Sequence, residues 1–195
     1  MISRRRSPAI VAAIAAFLTL AQPAGATMPG RNGLLAFQAQ TDQGVQIFTM
    51  RSNGHELRQI TRIDGNAAAP DWSPDGSRLV FGVDEFEATD SPCVVATSDA
   101  DGNHLVRIES DPSGLTPGVN VCQGDASWMP DGTHLLIGRY DPALDQEAAW
   151  IVRADGTGWV RLPLAGAGDL DSSPDGTRIS FKGENGALLD RKSVV

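Results

Sequence analysis

The chain has 195 residues, of which 41% are hydrophobic and 21% charged, and its net charge is −8. This is the composition of a globular protein that is long enough to bury a core. The acidic balance excludes the basic footprint typical of nucleic-acid binding, so no nucleic-acid partner is expected. Frequent glycine and proline, 21 and 12 residues, favour an all-β chain with many turns.

The first 26 residues have the features of a signal peptide. Arginines at positions 4–6 precede an apolar stretch over residues 9–21, and Ala24-Gly25-Ala26 matches the pattern that signal peptidases cut. The stretch is short for a membrane anchor, which needs about 20 apolar residues. We therefore expect cleavage after residue 26 and export to the periplasm or the cell exterior, with no membrane span afterwards. Both the general and the twin-arginine export routes stay open.

Removal of this segment makes the chain more acidic. It takes away three arginines and no acidic residue, which leaves 13 basic against 24 acidic side chains and a net charge of −11. Such a charge mainly favours solubility.

One motif, x-Trp-x-Pro-Asp-Gly followed by Ser or Thr and an apolar strand, occurs three times. Ser172 replaces the tryptophan in the third copy, and Met129 replaces the serine before the proline in the second. Proline presets the first corner of a type I turn, and glycine accepts the left-handed conformation that closes a bulged hairpin. In the strand that follows, Leu79 and Phe81 are expected on one face and Val80 on the other. The motif residues are Trp72, Pro74, Asp75, Gly76, Trp128, Pro130, Asp131, Gly132, Pro174, Asp175 and Gly176.

A second motif alternates with the first. Asn53-Gly54, Asp101-Gly102 and Asp155-Gly156 each separate two short apolar runs. Such pairs are strong signals for hairpin turns.

The spacing of the motifs measures a repeating unit. Asp75 and Asp131 are 56 residues apart, and Asp131 and Asp175 are 44 apart. A four-stranded propeller blade takes roughly 40–45 residues, so the longer interval is expected to carry insertions over residues 84–92 and 110–124. The sequence thus predicts an all-β propeller segment over residues 27–195, with blades of four antiparallel strands and motif windows near 47–81, 94–137 and 150–181.

Three to three and a half such blades are fewer than the 4–8 of a typical propeller. The sequence therefore predicts an incomplete or open propeller and a truncated form of a longer protein. Its exposed strand edges would favour self-association.

The Trp-Ser-Pro-Asp-Gly pattern with its upstream hairpin resembles the TolB-like β-propeller repeat, over about residues 34–181 and best over 47–81. The resemblance implies a propeller exported by a bacterium. The protein after which the family is named has an extra α/β domain ahead of its propeller. Because the repeats begin soon after residue 26, we expect a different protein with the same repeat.

The chain has two cysteines, Cys93 and Cys122. Cys93 is expected to start the second strand of its blade, and Cys122 to end the long loop before Trp128. Both positions belong to one end of the blade, and an even number of cysteines in an exported chain favours a disulfide. Two buried free thiols are the alternative.

No catalytic, cofactor or metal residue is predicted. The three histidines, His55, His104 and His134, fall in or beside turns of different blades, and the recurring aspartates are interpreted as turn-forming rather than as calcium ligands. The motifs of zinc peptidases, serine hydrolases and phosphate-binding loops do not occur.

Two functions remain open from the sequence. The first is an exported, non-catalytic propeller module that binds a protein or a glycan. The alternative is the propeller portion of an exported hydrolase or lyase, similar to prolyl oligopeptidases or polysaccharide lyases, with its catalytic part elsewhere. The interpretation as a binder rests on analogy at the level of the fold.

Overall fold

The computed structural model describes residues 33–85, 94–108, 126–141, 145–166, 168–182 and 188–192. In these residues all regular structure is β. The signal segment, Cys93, Cys122 and most of the two expected insertions lie outside the described residues, so cleavage and the disulfide stay predictions.

In the described part of the chain, fourteen strands form four antiparallel sheets, each a meander in chain order. The first sheet contains β1 (Leu35–Thr41), β2 (Gly44–Met50) and β3 (Arg58–Gln59). The second contains β4 (Gly65–Trp72), β5 (Arg78–Glu85), β6 (Val94–Asp99) and β7 (Val106–Ile108). The third contains β8 (Ala126–Trp128), β9 (His134–Asp141), β10 (Gln146–Arg153) and β11 (Val160–Ala165). The fourth contains β12 (Gly168–Ser172), β13 (Arg178–Lys182) and β14 (Leu188–Lys192).

The two repeated motifs sit where the sequence predicted turns. Each Pro-Asp-Gly turn joins the first two strands of the second, third or fourth sheet, and its glycine has a positive φ of 71°, 67° or 68°. Each Asn-Gly or Asp-Gly turn joins the last two strands of the first, second or third sheet. Because consecutive strands are antiparallel, both kinds of turn lie at the same end of the sheets. We call this the turn end.

Each motif window therefore starts in one sheet and finishes in the next. The window 47–81, for example, runs from β2 to β5. The strand that begins at Val94, next to Cys93, is the third of its sheet and not the second as expected. The difference arises because the segment that ends at Trp72 is itself a strand, β4, which the expected numbering had not counted.

The hydrophobic core lies between sheets, not within them. Leu79 and Phe81 pack toward the first sheet, whereas Val80 packs toward the third, which confirms the predicted alternation. Both faces of the second sheet are thus buried. We call the three inter-sheet cores the first boundary (sheets one and two), the second boundary (two and three) and the third boundary (three and four).

The first strands of successive sheets contact one another, β4 with β8 and β8 with β12, so they form the inner edge of the stack. The four described sheets do not close into a ring. This arrangement confirms the predicted all-β, open propeller of antiparallel blades.

Candidate binding surface at the turn end

The Pro-Asp-Gly turns carry a closed network of hydrogen bonds around one carboxylate. The Asp75 carboxylate accepts hydrogen bonds from the Ser73 hydroxyl at 2.7 Å, the Ser77 hydroxyl at 2.8 Å and the Ser77 backbone N–H at 3.0 Å. These hydrogen bonds, that of Ser73 first, lower the pKa of Asp75 to about 2. The Ser73 hydroxyl oxygen also accepts the Arg78 N–H at 2.9 Å, so the network ties both strands together.

The third copy of the motif repeats this network. The Asp175 carboxylate accepts from the Ser173 hydroxyl at 2.6 Å and from the Thr177 hydroxyl and N–H at 2.8 and 3.0 Å. The hydrogen bond from Ser173 contributes most to lowering the pKa of Asp175 to about 2. These aspartates thus act as turn-forming groups.

The second copy reaches the same turn with different partners. Met129 has no hydroxyl, and its side chain is buried in the third boundary. The Asp131 carboxylate instead accepts the N–H groups of Thr133 at 2.8 Å and His134 at 2.9 Å, and it lies 2.7 Å from Nδ1 of His134. Partial burial works to raise the pKa of Asp131, but these hydrogen bonds outweigh it and the pKa stays below its ordinary value.

The Asn-Gly and Asp-Gly turns, which we call the outer turns, share an unusual backbone conformation. Gly54, Gly102 and Gly156 have positive φ, and the residue two positions later is also left-handed, at Glu56 (59°), His104 (52°) and Gly158 (70°). A left-handed residue with a side chain is uncommon. The repeated pair of positive φ values therefore defines one turn geometry in three sheets.

The side chains on this turn geometry differ in charge from sheet to sheet. In the first sheet Arg51 forms an ion pair with Glu56, while at the same two positions of the second sheet Asp99 pairs with His104 at 2.6 Å. In the third sheet Asp155 accepts from the hydroxyl and N–H of Thr157, chiefly the hydroxyl, which lowers its pKa. His104 is highly exposed, in keeping with the prediction for a turn residue.

A hydrogen bond joins the inner strands of the second and third sheets. The Asp71 carboxylate accepts the Trp128 backbone N–H at 2.9 Å. Burial raises the pKa of Asp71, hydrogen bonds from the N–H groups of Trp128 and Trp72 partly offset this, and the nearby Asp171 carboxylate adds to the rise. The equivalent residue of the third sheet is Ser127, whose hydroxyl is buried without a hydrogen-bond partner.

The side chain of Arg78, in the second sheet, also lies over the ring of Trp128. The Arg78 guanidinium lies 5.0 Å from the ring centroid of Trp128 and donates to the Thr97 hydroxyl at 2.8 Å. Trp128 is only 4% exposed and packs in the core between the second and third sheets.

Exposed apolar side chains follow the outer turns. In each of the first three sheets, an exposed leucine or valine lies directly before the last strand or at its first residue. These side chains are Leu57, Leu105, Val106 and Val160. Each is at least 37% exposed. The turn end thus combines exposed aspartates with exposed aliphatic side chains.

The structure places the Pro-Asp-Gly residues of all three copies at turns and the motif tryptophans at the last residue of the preceding strand, but the sequence analysis missed the group Asp71, Ser127 and Asp171. The available signal was their position, one residue before the motif tryptophan or its replacement, in all three copies. Within the described ranges no three His, Cys, Asp or Glu side chains gather as a metal site would require. The described part of the chain also contains no helix of the length and hydrophobicity of a membrane span.

Meandering antiparallel sheets that stack face to face, with their first strands innermost, define a β-propeller. The fold is shared with TolB structures: a protein assigned as TolB from Agrobacterium tumefaciens (21% identity, TM-score 0.60, 83% of this chain and 52% of that one) and TolB from Acinetobacter baumannii (15%, 0.61, 86% and 43%). It is shared also with an oligogalacturonate lyase solved with manganese (15%, 0.53, 74% and 41%).

The chain therefore spans about half of these proteins' length or less. No protein-family model and no curated protein sequence matches it. At these identities the comparisons show the fold, which is the TolB-like propeller fold that the repeat predicted.

Proposed function

We propose that this chain is an exported, non-catalytic propeller module that binds a protein partner through the turn end. The observation that carries the proposal is the recurrence of exposed Leu57, Leu105 and Val160 just after the Asn-Gly or Asp-Gly turns of three successive sheets. Exposed apolar side chains rimmed by charge are typical of protein interaction sites. The acidic turns would favour a partner whose own surface is basic around an apolar centre.

The state of the turn aspartates supports a role without catalysis. The Asp75 and Asp175 carboxylates are occupied by neighbouring hydroxyl and N–H groups, and their pKa values of about 2 keep them ionised at neutral pH. A general acid would instead need a raised pKa. These carboxylates hold turns in place and present fixed negative charge.

A protein partner is favoured over a glycan by the tryptophans. All four lie in the described residues, and none is among the exposed large hydrophobic side chains. Trp128 and Trp150 are 4% and 6% exposed. A flat sugar-stacking platform of tryptophan is therefore lacking among the described residues, whereas exposed leucine and valine suit a protein surface.

Site-specific photo-crosslinking in cells that produce the chain tests the proposal. A crosslinker in place of Leu105 is expected to give one discrete protein adduct. The matched control is Gln40, an exposed residue near the opposite end of the first sheet. The adduct should be lost when Leu57 and Val160 are both changed to aspartate. Equal adducts at both positions, or none at position 105, would contradict the proposed surface.

Export is tested separately by fractionation and mass spectrometry. The proposal expects a mature chain outside the cytoplasm that begins at residue 27. An uncleaved chain in the cytoplasm would contradict export while leaving the binding surface open to the crosslinking test.

The structural similarity to a manganese-bound lyase makes the propeller part of a lyase the second candidate. Because the catalytic part of such an enzyme is expected elsewhere, this candidate predicts that the purified chain, supplied with Mn²⁺, binds oligogalacturonate in isothermal titration calorimetry. Our proposal expects no heat of binding above the buffer control.

A further inference from the structure

One of the three outer turns carries an asparagine where the other two carry an aspartate. Asn53-Gly54 in the first sheet stands where the second and third sheets have Asp101-Gly102 and Asp155-Gly156. The asparagines of the other two Asn-Gly pairs, Asn32 and Asn185, lie outside the described residues. The carbon of an asparagine amide is open to nucleophilic attack, whereas an ionised aspartate resists it, and asparagine is a thermolabile residue. The first outer turn is therefore chemically the most reactive of the three.

The nearest nucleophile along the chain is the backbone nitrogen of Gly54, and it is accessible. Asn53 and Gly54 are both exposed. A Cβ built on Gly54, whose φ is +82°, would meet no described atom within 4 Å beyond its chain neighbours. A Cβ on Gly102, by contrast, would lie 2.3 Å from the carbonyl oxygen of Ile60 in the first sheet. Neither a side chain nor a described neighbour therefore obstructs the approach of the Gly54 nitrogen to Cγ of Asn53.

Two hydrogen bonds act on the reacting groups. The Asn53 Oδ1 atom accepts the backbone N–H of His55 at 3.1 Å. This contact polarises the side-chain carbonyl, and it would stabilise the negative charge that develops on Oδ1 during an attack at Cγ. The Gly54 N–H donates to the Arg51 carbonyl at 2.9 Å, so the nitrogen can attack only while this bond is open. Exposed turns open locally at a low cost in free energy.

We propose that Asn53 is a site of spontaneous deamidation. The Gly54 nitrogen forms a bond to Cγ of Asn53, the bond from Cγ to Nδ2 breaks, and ammonia leaves with the proton of the Gly54 nitrogen. Water then opens the five-membered imide. Its attack at Cγ gives aspartate, and its attack at the main-chain carbonyl gives isoaspartate, in which the backbone runs through the side chain. Either product adds one negative charge to the turn end.

The two products fit the turn differently. Aspartate is the residue of the other two outer turns, and Asp155 accepts the Thr157 N–H at 2.9 Å as Asn53 accepts that of His55. An aspartate at position 53 is therefore compatible with the turn. Isoaspartate adds a methylene to the main chain inside the loop that Arg51 closes by hydrogen bonds with residues 54 and 55, so this product should open the turn. The inference rests on this turn alone and does not depend on the proposed binding of a partner.

Incubation of the purified native chain at mildly alkaline pH, followed by trypsin digestion and mass spectrometry, tests the site. Trypsin cuts after Arg51 and Arg58, so Asn53 is the only asparagine in its peptide. With time this peptide should gain the mass difference between an amide and an acid. It should separate into two products, one of which is labelled by an isoaspartyl carboxyl methyltransferase. The rate should rise with pH, because the attacking nitrogen must lose its proton. A sample digested without incubation is the blank.

Asn103 is the matched control in the same digest. It is exposed in the outer turn of the second sheet, but His104 follows it, and its rate should be lower than that of Asn53 by about tenfold or more. Gly54→Ala should slow the reaction at Asn53. Asn53→Gln should remain intact, because its ring closure is less favourable, and it keeps the test valid if Gly54→Ala misfolds by circular dichroism. Three results would overturn the proposal: an unchanged Asn53 peptide in the native chain, equal rates at Asn53 and Asn103, and aspartate as the sole product, which would indicate direct hydrolysis.

Discussion

The second and third boundaries use the same positions with different chemistry. At the second, Asp71 accepts the Trp128 N–H and Arg78 covers the indole ring. At the third boundary, Ser127 replaces Asp71, Ser172 replaces Trp128, and His134 replaces Arg78. The His134 ring contacts Asp131 of its own sheet instead of the neighbouring sheet. Both boundaries nevertheless bury a continuous apolar core. The apolar alternation is therefore common to both boundaries, whereas the polar contacts are shorter and more numerous at the second than at the third.

The largest difference is expected at the tryptophan. Trp128→Ala removes a side chain that is 4% exposed in the second boundary, and it should lower the free energy of unfolding by about 3–5 kcal/mol. Ser172→Ala, at the equivalent position of the fourth sheet, should cost less than about 1 kcal/mol, since its hydroxyl donates only a long hydrogen bond of 3.4 Å to the Trp128 carbonyl. Urea denaturation of both variants measures the contrast. An equal loss of unfolding free energy in the two variants would contradict a special role of Trp128 in the second boundary.

The next effect concerns the turn that lacks its serine. Met129→Ser would create the hydroxyl of the other two copies, worth about 1 kcal/mol. It would also remove a buried side chain from the third boundary, at a cost of about 2–3 kcal/mol. We expect a net loss of about 1–2 kcal/mol in urea denaturation. Ser73→Ala is the complementary variant and should lose about 1–2 kcal/mol from the turn network alone. A more stable Met129→Ser chain would show that the hydrogen bonds outweigh the core.

The inter-sheet hydrogen bond of Asp71 gives a third contrast. Asp71→Ala leaves the Trp128 N–H without its acceptor and should cost about 1–2 kcal/mol. Ser127→Ala should be neutral, because the Ser127 hydroxyl has no partner to lose. Thermal unfolding at neutral pH distinguishes the two.

Asp71→Asn should behave differently from the alanine variant, because it keeps an oxygen acceptor and removes the charge. Since the pKa of Asp71 is raised in the folded state, ionisation destabilises the native chain as the pH rises through that pKa. Asp71→Asn should therefore equal or exceed the native chain in stability at pH 7, and lose that advantage below the unfolded-state pKa of about 3.9. An advantage that persists in acid would contradict this account.

The smallest effect concerns acid stability of the turns. The pKa values of Asp75 and Asp175 are about 2 in the folded chain, below the value of about 3.9 expected for an unfolded chain. The ionised carboxylates therefore stabilise the folded chain fully above about pH 4, and this stabilisation is lost as the pH falls from about 4 to 2. Asp75→Asn should reduce the slope of the melting temperature in this window and change neutral-pH stability by less than about 1 kcal/mol, because the group is exposed. Gln40→Ala, at an exposed position near the opposite end, is the control, because it removes no carboxylate.

The motifs predicted the turns, the alternation and the all-β propeller, because each rests on local conformation: proline at a corner, glycine at positive φ, and a two-residue period in a strand. The contacts between sheets could not be predicted this way. The Asp71–Trp128 hydrogen bond joins residues 57 positions apart, and it depends on how far one sheet is displaced along the next. The same is true of Arg78 on Trp128. The strand that begins at Val94 was wrongly predicted to be the second of its sheet, because β4 carries a bulge and its sequence shows no clear alternation.

Because each core belongs to two sheets, a single sheet of this chain has no interior of its own. A buried core requires at least two neighbouring sheets, and each further sheet adds a whole interface at once. A sequence that grows or shrinks by one repeat therefore keeps the remaining interfaces intact. Duplication or loss of a repeat in the gene therefore changes the length of the stack and leaves the contacts between the remaining repeats unchanged.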